Sequence, residues 1–240
     1  MQIINPNLFS FFSKLKENNN REWFQSNKAE FKLLEGQVKL FMKQIEENLQ
    51  IHDKIEKAKM FRIYRDVRFS KNKTPYKNHF GIAFHREKPA LRGGYYLHLE
   101  PDNSFLGVGF WAPNPEDLFR IRKELEFDVD ELKTILADTI FKKYWGKLSG
   151  DEVKTAPKSF SKEHPNIDLI KKKQYVFVKN FSDEEVLSPD FIRVIDKHFQ
   201  KIRPFFDYMS NILTTDLNGL SLFEDKLYYT FYNESILFSL

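Results

Sequence analysis

The chain has 240 residues, of which 41% are hydrophobic, and it carries a formal charge of +4 with no cysteine. This length predicts one sizeable core, because a chain of this size buries roughly 70–75% of its unfolded surface on folding. The lack of cysteine excludes disulfides, thiolate metal sites, iron–sulfur clusters and cysteine nucleophiles. With no basic leader segment and no apolar run approaching about 18 residues, the expectation is a soluble cytoplasmic protein that does not contact a membrane.

Two helices are predicted near the N-terminus. Asn5 followed by Pro6 is typical of a helix start, and the asparagine run 18–20 ends this first helix. A second, longer helix is predicted from near Arg21, because apolar side chains recur there mainly at steps of three and four residues. This stripe consists of Phe24, Phe31, Leu34, Val38, Phe41, Ile45 and Leu49.

Five strands are predicted from short runs of aromatic and β-branched residues. Four of them lie in the middle of the chain, near residues 60–65, 79–85, 95–100 and 105–111, and the fifth lies near 175–181. Residues 101–104 are turn-forming, so the strands on either side of them are expected to pair antiparallel.

Helices dominate the second half of the chain. One is predicted from Asn114 and Pro115, another over residues 130–144, and a long final helix after Ser188 that Pro204 is expected to kink. Residues 149–162 are polar and predict a loop. Because helices flank the strands instead of alternating with them, the pattern predicts an α+β fold whose antiparallel or mixed sheet is packed by long N- and C-terminal helices.

Residues 1–215 are expected to form a single domain, and residues 216–240 a C-terminal extension. The extension is rich in aromatic residues, so it is expected to pack on the domain or on a partner chain. Both a monomer and a homodimer are compatible with this. The residues expected to be buried in the extension are Tyr228, Phe231 and Ile236.

A basic segment stands out at residues 61–77, where three arginines, three lysines and a single aspartate give a local charge of +5. The rest of the chain is nearly neutral, so this segment concentrates the field that attracts anions. The arginines would hold an anion, the aspartate would orient one arginine, and the lysines would add to the field. The aromatic rings would either fix the planes of the arginines or stack on the ligand. The candidate ligand-binding residues are Arg62, Arg65, Asp66, Arg68, Lys73, Tyr76 and Lys77.

Three functions fit this segment. The first is binding of a phosphorylated or other anionic ligand, either a small molecule or nucleic acid. The second is a hydrolase or transferase acting on a phosphate ester, which is weaker because Asp66 is the only carboxylate of the segment. The third is a structural or interaction protein in which Asp66 holds Arg65 or Arg68 in an internal ion-pair network. If the first strand spans 60–65, Arg62, Tyr64 and Asp66 share one of its faces.

No cofactor or metal is predicted. The segment lacks the glycines of a nucleoside-triphosphate loop, and Pro75 removes a backbone amide. A site built from His79, His85 and His98 fails because residues 79 and 85 are about 20 Å apart along an extended strand.

The segment Arg62-Ile63-Tyr64-Arg65-Asp66-Val67-Arg68-Phe69-Ser70 carries a family resemblance, together with residues 19–24, 73–77, 95–99, 156–158 and 164–165. In these segments the chain resembles the bacterial and fungal family catalogued as domain of unknown function 2461, over roughly residues 7 to 213. The resemblance implies no established activity and assigns no catalytic residue. Two positions depart from the family pattern, since Ser159 stands where glycine is common and Asn72 where aspartate is common. The chain from about 216 lies outside the resemblance.

Overall fold

The computed structural model describes residues 3–223, and these form ten helices and five strands. The strands are β1 Ile55–Met60, β2 Phe80–Arg86, β3 Gly94–Leu99, β4 Ser104–Phe110 and β5 Tyr175–Phe181. The helices are α1 Asn7–Glu17, α2 Arg21–Ser26, α3 Lys28–His52, α4 Pro115–Phe127, α5 Asp130–Ala137, α6 Thr139–Trp145, α7 Ile167–Ile170, α8 Asp183–Leu187, α9 Phe191–Lys201 and α10 Arg203–Thr214. The α+β prediction is confirmed.

The five strands form one antiparallel sheet in the order β1-β2-β3-β4-β5. One face is apolar and fully buried, with Phe84, Tyr95, Val108 and Phe177 aligned across four strands. Aromatic rings of α9 and α10 pack on this row. The opposite face, called the far face here, alternates with it and consists of Gly81, Ala83, Tyr96, His98, Phe105 and Gly107.

The first strand lies earlier in the chain than predicted. It spans Ile55–Met60, and its pairing with β2 ends where the amide of Phe61 donates to the carbonyl of Gly81. Residues 61–79 leave the sheet as a loop, because a segment so rich in cations cannot be buried between strands without partners. The prediction of a strand at 60–65, and of Arg62, Tyr64 and Asp66 on one face of it, is therefore wrong.

Three predicted helices are each divided in two. Asn27 separates α2 from α3, and Asp138 separates α5 from α6, where its side chain accepts a hydrogen bond from the amide of Phe141. The final helix breaks at Ile202, and Pro204 lies in the first turn of α10, where a missing amide costs nothing. Pro204 thus begins a helix instead of kinking one.

A buried ion pair joins the helices to the sheet. Arg86 of β2 donates to Asp53 through Nε at 2.8 Å and Nη2 at 3.3 Å, and both side chains are fully buried. Arg203 of α10 lies 3.2 Å from the same carboxylate, and the hydroxyl of Tyr95 also donates to it. Burial, followed by the negative charge of Asp53, raises the pKa of Tyr95. The carboxylate that follows α3 is therefore shared by two strands and a helix.

Residues 216–223 form a turn in which Asp216 accepts hydrogen bonds from two backbone amides. Arg120 of α4 donates to the carbonyl of Asp216. The predicted burial of Tyr228, Phe231 and Ile236 concerns positions outside the described residues and stays a prediction. Within residues 3–223, none of the helices combines the length and the apolar character needed to cross a bilayer.

Candidate functional site

The basic segment folds back on itself as a loop. The amide of Arg65 donates to the carbonyl of Pro75 at 2.9 Å, and the amide of Lys77 donates to Ile63 at 2.8 Å. Ile63 points inward and is only 3% exposed. Of the six cations in this loop, Arg62, Arg68, Lys71 and Lys73 are exposed, and Arg65 and Lys77 are half-buried.

Tyr76 anchors this loop in the core. It is 6% exposed and stacks on Phe24, with ring centroids 4.0 Å apart. The side-chain amide of Asn19 holds the backbone of Tyr76 on both sides, donating to its carbonyl at 3.0 Å and accepting from its amide at 3.1 Å. Burial raises the pKa of Tyr76. The structure therefore places Tyr76 behind the candidate site, where its ring cannot stack on a ligand.

Asp66 and Arg68 form a bidentate pair at the surface. Nε and Nη2 of Arg68 donate to the two carboxylate oxygens at 3.0 and 2.7 Å, and the side chains are 77% and 49% exposed. Hydrogen bonds from Arg68 hold the pKa of Asp66 below its usual value. Lys73 donates to the carbonyl of Val67 at 2.9 Å and so closes the loop. The predicted Asp66–Arg68 pair exists, but the expectation of an internal ion-pair network is wrong.

Arg62, Arg65 and Lys77 form what we call the cation cluster. Arg65 donates to the hydroxyl of Thr74 at 2.8 Å. Burial lowers the pKa of Lys77, and the charges of Arg62 and Arg65 lower it further. No member forms a direct ion pair with a carboxylate among residues 3–223, although the charge of Arg62 also lowers the pKa of Asp66. The loop therefore places two arginines near Lys77 without a carboxylate at ion-pair distance.

The cation cluster adjoins the aromatic part of the far face. Lys77 and Lys59 lie over the ring of Phe61, with Nζ 5.7 and 5.3 Å from its centroid. Phe61 neighbours Tyr96 at 6.4 Å, and Tyr96 neighbours Phe105 at 5.8 Å. Gly81 provides the room for Tyr96, because a Cβ there would lie 2.4 Å from the tyrosine hydroxyl.

A chain of polar side chains crosses the far face beside these rings. Glu100 Oε2 lies 3.0 Å from Nε2 of His98, whose Nδ1 lies 3.1 Å from the hydroxyl of Tyr96. Asn78 donates to the other oxygen of Glu100 at 2.6 Å. The ring of His79 packs on that of His98, with centroids 4.2 Å apart.

The pKa values of two of these groups, His79 and Glu100, are lowered from their usual values. Burial, followed by the proximity of His98, lowers the pKa of His79 to about 4. Burial alone would raise the pKa of Glu100, but hydrogen bonds from His98 and Asn103 outweigh it and lower the pKa. At neutral pH His79 is therefore an uncharged imidazole and Glu100 is a carboxylate.

The sequence did not predict this row of polar side chains, because their proximity depends on the register between β2 and β3. Phe80 pairs with Leu99, so His79 lies opposite Glu100, whereas His85 pairs with Gly94 at the far end of the strand. The histidines at 79 and 85 are indeed apart, but His79 and His98 meet, which the sequence did not predict. A usable signal was present: tyrosine, histidine and glutamate occupy alternate positions, 96, 98 and 100, around a predicted strand.

A separate cavity of about 470 Å³ lies beneath the loop 149–162 and is lined by Lys154, Phe160 and Lys171, among others. The lysine run 171–173 belongs to this region, since Lys171 and Lys172 pair with Glu152 at 3.9 and 3.5 Å. No contact is observed between the described side chains of this run and the basic segment.

Fold and site together define an α+β protein with a five-stranded antiparallel sheet, a basic loop and a polar far face. Residues 7–208 match the family described as "Conserved hypothetical protein (DUF2461)", so the chain belongs to this family, as its central motif indicated. No curated protein matches the chain. No solved structure matches it either.

Proposed function

We propose that the protein binds a phosphorylated ligand at the cation cluster, with the aromatic part of the far face beside it. The observation that carries the proposal is that Arg62, Arg65 and Lys77 form no direct ion pair within residues 3–223, although the charge of Arg62 does act on Asp66. Holding three cations together costs free energy, and a bound anion removes that cost. Arginine side chains also match the geometry of phosphate oxygens.

The rings of Phe61, Tyr96 and Phe105 favour a ligand that carries a base as well as a phosphate. Bases stack on aromatic side chains, and such stacking contributes about 1–3 kcal/mol per base in single-strand binding proteins. A nucleotide and a short single-stranded nucleic acid share this chemistry. Since the protein carries a formal charge of only +4, a small footprint is expected.

The test compares inorganic phosphate, ADP and a short single-stranded oligonucleotide by calorimetric titration in EDTA at about 50 mM salt, where electrostatic binding is strong. Arg62→Ala and Lys77→Ala should each weaken binding about tenfold or more, because a hydrogen bond to a charged group contributes about 1.5–3 kcal/mol. Arg193→Ala is the charge-matched control, as it removes an exposed arginine of α9. Failure of all three ligands to bind would refute the proposal.

The salt dependence then separates the two kinds of ligand. Binding of nucleic acid should weaken steeply as salt increases, because each neutralised phosphate releases counterions. A single nucleotide, with fewer phosphates, should show a shallower dependence. If the oligonucleotide and ADP bind with the same affinity and the same salt slope, the protein recognises one nucleotide unit.

A second candidate function is hydrolysis or transfer at a phosphate ester. It is favoured by the lowered pKa of His79 in a polar cluster beside the cations, because perturbed titration is typical of catalytic groups. The chain from Glu100 through His98 to Tyr96 supplies a carboxylate and an imidazole in addition to Asp66, the one carboxylate of the basic segment. Turnover of a chromogenic phosphate ester that is lost in His98→Asn but kept in His85→Ala would support it.

A further inference from the structure

The strongest unassigned cluster consists of His79, His98 and Glu100. One ligating atom from each residue lies within 4.8 Å of the other two. We propose that these three side chains bind a divalent transition-metal ion, with zinc as the reference ion. The proposed metal site does not require an anion to be bound at the cation cluster.

The backbone brings the three side chains together through the register of β2 and β3. His98 and Glu100 are two residues apart, so their side chains leave the sheet on the same face. The pairing of Phe80 with Leu99 and of Gly81 with His98 places His79 opposite Glu100 and diagonal to His98. Opposite and diagonal neighbours of an antiparallel pair are within reach of long side chains. The cluster is thus positioned by the pairing of β2 with β3.

Two imidazoles and one carboxylate are a donor set that metals use. Three protein ligands of this kind bind catalytic zinc and leave a further coordination position for water or substrate. Ligand atoms about 2.0 Å from a tetrahedral ion lie about 3.3 Å apart, so the longest separation in the cluster has to shorten by at most about 1.5 Å. Rotation of the side chains supplies a change of this size without moving the strands.

The proposed ligands already have the partners that orient metal ligands. Metal-bound histidines almost always donate their second ring N–H to an acceptor, and ligating carboxylates are themselves hydrogen-bonded. Nδ1 of His98 lies 3.1 Å from the hydroxyl of Tyr96, which leaves Nε2 for the ion. Asn78 and Asn103 donate to Glu100 at 2.6 and 2.8 Å. The ion would lie between Nε2 of His98 and Glu100 Oε2, which are now 3.0 Å apart.

The nearby cations set the affinity that is expected. Lys77 is two residues from His79, and its positive charge, together with that of the neighbouring Arg65, opposes a second cation. Glu100 supplies a single compensating negative charge. The site should therefore bind zinc more weakly than a closed structural site, and it should bind more tightly when phosphate neutralises the cation cluster.

The test is calorimetric titration of untagged, EDTA-stripped protein with Zn²⁺, and with Co²⁺ followed by its visible absorption. The wild-type chain should bind one ion per chain, and the absence of cysteine removes thiolates as competing ligands. His79→Ala and Glu100→Gln should weaken binding at least about tenfold, since even loss of an outer partner costs 10–100-fold. His85→Ala is the matched control, because it removes an exposed histidine from the same strand.

Two outcomes would overturn the metal site: no saturable binding of Zn²⁺ or Co²⁺ to the wild-type chain, or equal binding by the wild type, His79→Ala and Glu100→Gln. Circular dichroism in EDTA establishes that each variant is folded, and Glu100→Gln keeps the shape of the side chain it replaces. Phosphate binding measured in EDTA is unaffected by either result, so the two proposals fail separately.

Discussion

Two bidentate arginine–carboxylate pairs differ strongly in burial, and removing their arginines should have very different effects. Arg86 and Asp53 are both fully buried, whereas the side chains of Arg68 and Asp66 are 77% and 49% exposed. The matched substitutions are Arg86→Met and Arg68→Met. Each keeps a long apolar stem and removes the guanidinium.

The expected magnitudes follow from that difference. Breaking a buried pair leaves an uncompensated charge and costs about 3–5 kcal/mol. The lower end applies here, because Asp53 keeps its contacts with Arg203 and Tyr95. An exposed pair contributes little, because water and salt screen its charges. For a chain of this size 1 kcal/mol shifts the Tm by about 2–4 °C, so Arg86→Met should lower the Tm by about 6 °C or more, whereas Arg68→Met should change it much less.

Calorimetric melts and urea titrations of the wild type and both variants measure this difference. The two methods should agree on the order of the variants, and the urea slope should not change. A Tm loss of equal size in the two variants would refute the reasoning, because it would mean that burial does not control the strength of these pairs. A large loss of Tm in Arg68→Met alone would mean that the main role of the Asp66–Arg68 pair is to stabilise the fold.

Three further predictions concern the far face and the loop. His79 has a pKa of about 4 in the folded protein and an ordinary value of 6.5, so the unfolded chain binds more protons between these two values. The free energy of unfolding should therefore fall as the pH drops through that window. Urea titrations of the EDTA-treated wild type at several pH values should show this loss, and His79→Gln should show a smaller one. Gly81→Ala should displace Tyr96 and cost about 1–3 kcal/mol in a thermal melt, and an unchanged melt would mean that the ring moves freely. Asn19→Ala removes two hydrogen bonds to Tyr76 and should speed hydrogen exchange at the Tyr76 amide, whereas protection equal to that of the wild type would contradict its anchoring role.

Much of the fold follows from local patterns. The strands β2 to β5 were predicted within a few residues, because each combines apolar or aromatic residues with turn-forming neighbours. β1 was misplaced, because three of its six residues are charged and its apolar signal is weak. The helix breaks at Asn27 and Asp138 were also missed, because apolar periodicity continues across both residues and only tertiary packing decides between one helix and two.

The candidate site, like the fold, was predicted only in part. Local charge density located the basic segment, and Arg62, Arg65 and Lys77 do lie together at its surface. Local sequence could not reveal which carboxylates accompany which arginines. Arg86 is a buried partner of Asp53, 33 residues away in the chain, and nothing near either residue marks the pair. The meeting of His79 with Glu100 likewise depends on one residue of register between two strands, which no single strand encodes.

The charged residues of β1 also affect what can pair with its outer edge. β1 is an outer strand of the sheet, so one row of its backbone N–H and C=O groups has no neighbouring strand within the sheet. Such a row is a template onto which another chain can add a strand, and lysines on an outer strand are a common protection against this. Lys57 and Lys59 are exposed along β1, together with Glu56. A second copy approaching this edge would bring its own lysines against them, and this repulsion would oppose pairing of two copies through β1.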